Sequence, residues 1–102
     1  MAVRAGKSSE RERERRALVK ELSAGEGLNW SKQFQPGSFG CHELLDRTML
    51  AAGVVEEYVL THPACALNRD WYALAEKAVS ALQELYQQIG AANVGRDEAE
   101  AS

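Results

Sequence analysis

Two apolar patterns of helical period, at residues 38–60 and 69–89, are interrupted once by Thr61-His62-Pro63. Proline lacks an N–H and its ring clashes with the preceding turn, so one continuous helix is excluded at that break. Both stretches are longer than an ordinary strand, and their apolar residues recur every three or four positions rather than every two. In the first, Leu44, Leu45, Thr48, Ala51, Ala52, Val55, Tyr58 and Val59 fall on one broad helical face. In the second, the stripe is Trp71, Leu74, Ala75, Ala78, Leu82, Leu85 and Ile89. Ser38 and Asn68 offer side-chain acceptors to the free amides at the two starts, and Asp70 suits a first turn. Gly90 is the expected end of the second helix, and Gly53 is expected to let another backbone approach the first. The prediction is an all-α fold built on an antiparallel helical hairpin, since a short connection returns one helix beside the other.

A hairpin is a thin core. A chain of 102 residues makes one small domain, and domains of this size bury a modest fraction of their surface. Leu50, Val54, Val79 and Tyr86 widen the apolar surface beyond a single seam. The expectation is completion by a partner, either a homodimer or a heteromeric protein partner. The expected contacts are Trp30, Phe34, Leu50, Val54, Tyr72, Val79, Leu82 and Tyr86, because aromatic and large apolar side chains dominate interface energetics.

Upstream of the hairpin, residues 1–24 read as a basic arm, flexible or conditionally helical, and the source of a third, N-terminal helix. Ser9 and Glu12 have capping-box spacing, and Glu12 with Arg16 has ion-pair spacing within residues 10–22. Residues 25–37 read as an aromatic-containing linker with Trp30 and Phe34 covering one end of the hairpin, and Pro36-Gly37 as a turn. The hairpin domain occupies 38–90, and 91–102 reads as a flexible tail.

Charge divides along the same lines. Residues 1–20 hold seven basic and three acidic side chains, and the remainder five basic and twelve acidic, for a net charge of -3. Arg11, Arg13, Arg15 and Arg16 could meet nucleic acid, but the acidic body opposes wrapping and the arm carries no aromatics for stacking on bases. Nucleic-acid binding is therefore the weaker expectation. No membrane span is expected. With two cysteines and no apolar leader pattern, the expected compartment is the reducing cytoplasm.

Polar constellations are sparse. His42 and Asp46 are one helical turn apart and could share a metal or a small molecule, whereas Glu43 points about 100° away. A metalloprotease helix would need a second histidine where Asp46 stands. Cys41, His42, His62 and Cys65 have zinc-ligand chemistry, but about twenty helical residues at 1.5 Å each hold the two pairs roughly 30 Å apart. Only association of two chains could collect His42, Asp46, His62 and Cys65 into one centre. Cys41 at a helix start could have a stabilised thiolate, yet no base or oxyanion partner is identifiable. Gly25 and Gly27 lack the spacing and the Lys-Ser/Thr of a phosphate loop. The expected function is a small helical interaction or assembly module rather than an independent enzyme, with no cofactor.

Overall fold

A computed structural model describes the backbone of residues 2–27 and 29–101, with side chains at 9–25, 27 and 29–94. Most of the described residues are helical, and no strand occurs among them. The chain divides into two compact units, Met1–Gln33 and Phe34–Ser102.

The first unit is helix α1, Ala2–Glu26, with the beginning of a 3-10 turn at Trp30–Phe34. Because α1 begins before Ser9, that serine lies inside the helix and does not cap it. Glu12 instead accepts from Arg15 (Nε–Oε2, 3.0 Å) and from Arg16 (Nε–Oε1, 3.2 Å), and Arg11 Nη1 reaches Glu14 at 3.0 Å. Pairs three and four residues apart meet on a helix surface, which supports α1 where apolar side chains are few. After α1 comes Gly27, whose φ of 95° suits glycine and few other residues. Trp30 Nε1 donates to Ser23 Oγ at 3.0 Å, and Ser23 donates to the Val19 carbonyl, so the indole is tied to the last turns of α1.

In the second unit, Gly37 turns the chain at φ 88°, and Ser38 Oγ accepts from the Cys41 amide to cap α2, Phe39–Val54. The backbone then loosens into a π turn, Val55–Leu60, closed where the Thr61 hydroxyl donates to the Glu57 carbonyl. Pro63 stops that run and also starts the next. It occupies the first position of α3, Pro63–Leu67, where its missing N–H costs nothing, and His62 Nδ1 accepts from the Ala64 amide at 3.1 Å. Asn68 Oδ1 accepts from the amides of Asp70 and Trp71 and opens α4, Arg69–Ala101. The expected stop at Gly90 is not made. α4 passes through Gly90, whose φ is not positive, and Ala91 and Ala92 after it favour helix. The residues read as a tail from 91 onward are α-helical through Ala101.

Helix α2, the π turn and α3 all pack on α4. On α2 and its continuation the seam runs through the covered residues Cys41, Leu45, Thr48, Ala52 and Val55. On α4 it runs through Ala75, Val79, Leu82, Tyr86, Ile89 and Asn93; Gly40, Glu43, Leu60 and Gly90 are half-buried outside these series. Both series alternate steps of four and three, the spacing of a coiled-coil seam. Thr48 is its most covered member, and its hydroxyl donates to the Leu44 carbonyl at 2.8 Å, so the buried oxygen is satisfied. Three cross-connections fix the pairing. The Gly37 amide donates to Asn93 Oδ1 at 2.6 Å, Leu45 Cδ1 lies 3.9 Å from where a Cβ would stand at Gly90, and Gln83 Nε2 donates to Glu56 Oε1 at 3.2 Å.

Candidate interaction surface

The seam uses fewer of the apolar residues than the sequence stripe suggested. Trp71 and Leu74, expected inside, are 58% and 63% exposed, while Val79, expected on the open surface, is 6% exposed. Tyr86 and Leu82 are half-buried. An apolar arc spanning more than half of α4 leaves the phase of the buried stripe undetermined. The residues that α2 actually presents select it.

On α2 and the π turn, the positions just before seam members are Gly40, Leu44, Arg47, Ala51 and Val54, with Tyr58 one turn further on. On α4 they are Leu74, Ala78, Ala81, Leu85, Gln88 and Ala92, preceded by Trp71. All of these except the half-buried Gly40 are exposed, and only Arg47 and Gln88 among them carry polar side chains. Tyr58 and Trp71 line one cavity of about 380 Å³ with Val59, His62, Ala64 and Cys65. The positions just after the seam have a different chemistry. Met49, Gly53 and Glu56 face Gln83 and Gln87 across a groove of about 490 Å³, bridged by the Gln83–Glu56 hydrogen bond. Gly53 meets no second backbone there, since an added Cβ would have nothing within 4 Å. The expectation of close backbone packing at Gly53 is therefore corrected.

Of the other expected contacts, Leu50 is 68% exposed on the outer surface of α2, and Tyr72, which continues the α4 seam spacing one step before Ala75, is 38% exposed. Phe34 is 52% exposed. Trp30 is half-buried, with its indole N–H bonded to Ser23 inside its own unit.

The polar candidates stay in separate places. His42 Nε2 and Asp46 Oδ2 stand 4.0 Å apart near the start of α2, both well exposed. His62 caps α3 through Nδ1, and buried Cys65 lines the Tyr58–Trp71 cavity. No group of three or more His, Cys, Asp or Glu among the described residues is placed to hold a metal ion. Cys41 and Cys65 are free thiols.

In α1, the cations of Arg11, Arg15 and Arg16 are already paired with Glu14 and Glu12. The hydrogen bond from Arg15 holds the Glu12 carboxyl below the ordinary glutamate range, and the same bond raises Arg15. Arg11 and Arg15 lie about 40° apart around the helix, with Arg13 and Arg16 on another side, so the four do not make one cationic stripe.

No helix among the described residues is long and apolar enough to cross a membrane. No family model, curated protein or solved structure matches the chain.

Two features of this surface escape a sequence reading. Asn93 lies beyond the predicted end of the helix, so its bond to Gly37 had no place in the pattern. The separation into an apolar and a polar flank appears only once the seam is fixed. Alternating steps of four and three in both helices were the available signal.

Proposed function

We propose that this chain is a small protein-interaction or assembly module, acting through the apolar flank of α2 and α4. In this reading the two helices form an antiparallel hairpin. The pairings of residues 37 with 93, 45 with 90 and 56 with 83 support it, since one number rises as the other falls. In an antiparallel pair, residues one step before the seam fall on the same side of both helices, by the shared handedness of the α-helix. Leu44, Ala51, Val54 and Tyr58 then join Trp71, Leu74, Ala78 and Leu85 in one surface. The observation that carries the proposal is the exposure of these large apolar side chains together. A mostly apolar face of this kind on a small domain marks an interaction site.

A photo-crosslinking residue placed at Leu85 in the full chain tests this in cells. A discrete adduct is expected from position 85, and none from Ser80, an exposed position on α4 away from the apolar flank. Equal labelling from both positions, or none from 85, would reject the module.

A further inference from the structure

We infer that the occupant of the apolar flank is a second copy of this chain, giving a face-to-face dimer in which two hairpins form a four-helix bundle. This rests on the interaction reading above and names its partner. Dimensions argue for it first. Phe39–Leu60 spans about 33 Å at 1.5 Å per residue, and two helices side by side present a face about 20 Å wide. That is about 650 Å² from each copy and about 1,300 Å² for the pair, within the roughly 1,200–2,000 Å² of stable specific interfaces. A single partner helix, about 10 Å across, would leave half of the face wet. A second hairpin matches both length and width.

Composition argues next. Arg47 is the one charged side chain at these flank positions, and its Nη2 lies 3.5 Å from Glu43 Oε1 on the same helix. Two copies of a charged face would repel, whereas this face brings no unpaired charge against itself. By the pairings of residues 45 with 90 and 56 with 83, Ala51 lies level with Leu85 and Ala81 with Tyr58, so small and large side chains stand beside each other along the face. Small residues opposite large ones let facing layers interdigitate at the helix spacing of a bundle. An isologous two-fold contact needs only that such a surface complement itself.

Mass measurement by sedimentation on the full chain, over a hundredfold range of concentration, tests the proposal. The wild type is expected at twice the chain mass of 11.2 kDa. Ala78→Glu and Ala51→Glu, at exposed helical positions that glutamate suits, should sediment as single chains with unchanged helical circular dichroism. Ser80→Glu should remain paired. A wild type that stays a single chain at all concentrations overturns the second copy, as does pairing that survives both glutamate variants. In those cases acrylamide quenching of Trp71, read in a Trp30→Phe chain, shows which claim has failed. Free quenching leaves the flank open, so the interaction reading stands with a different partner. Strong protection in a single chain means the flank is covered by its own polypeptide, and both fail.

Discussion

Replacing Gly53 with alanine should stabilise the protein. The position lies in a helix, faces an open groove and has room for a methyl group. Removing glycine's extra unfolded-state freedom contributes about 0.5–1 kcal/mol, a rise of several degrees in Tm measured by circular dichroism. Gly37→Ala should do the reverse, because φ 88° forces a Cβ into the left-handed region at a cost of about 1–2 kcal/mol. A second contrast separates size from burial. Val79→Ala, deep in the seam, should lose about 1.5 kcal/mol at roughly 0.8 kcal/mol per buried carbon. Leu67→Ala removes more carbon but from a side chain 89% exposed, and should change stability by less than about 0.5 kcal/mol. If Leu67 proves the costlier, the assigned core is wrong.

The individual helices differ in what supports them. α2 and α4 have caps, Ser38 and Asn68, that were legible as polar residues ahead of apolar runs, and both caps form. The π turn and α3 were not legible. Pro63 marked a break, but a five-residue helix leaves no period to read. The candidate surface was half legible. Leu74, Leu85 and Trp71 were visible as apolar, yet their phase depended on contacts with α2 that no single helix encodes. α1 depends on ion pairs and is therefore sensitive to acid. Glu12 has a lowered folded pKa, so its stabilising share is complete above the unfolded value and is lost as pH falls through the folded one. A side-chain NMR titration should place the Glu12 midpoint below that of an unstructured glutamate, and Arg15→Ala should move it back up. An unmoved midpoint would show that the pair does not persist in solution.

For the whole molecule, assembly and stability should be one measurement. A hairpin stabilised by its own second copy unfolds at a temperature that rises with protein concentration. Ala78→Glu should abolish that dependence while Ser80→Glu preserves it. The charge asymmetry has a smaller consequence. Since Arg11, Arg15 and Arg16 already have glutamate partners, the intact chain should bind DNA or RNA weakly at low salt and release it near physiological salt. Binding that resists salt would mean that the ion pairs of α1 open for a nucleic-acid ligand.

The bond between the Gly37 amide and Asn93 joins a turn residue to a side chain 56 positions away. Neither end can make it alone. The loop it closes must be shut before the bond exists, and Asn93 comes into reach only when α4 has continued past Gly90. Gly37 is thus a latch. In hydrogen exchange its proton should be slow for a turn amide, and Asn93→Ala should release it while leaving the amides around Thr48 and Val79 protected. During refolding, its protection should arrive after theirs.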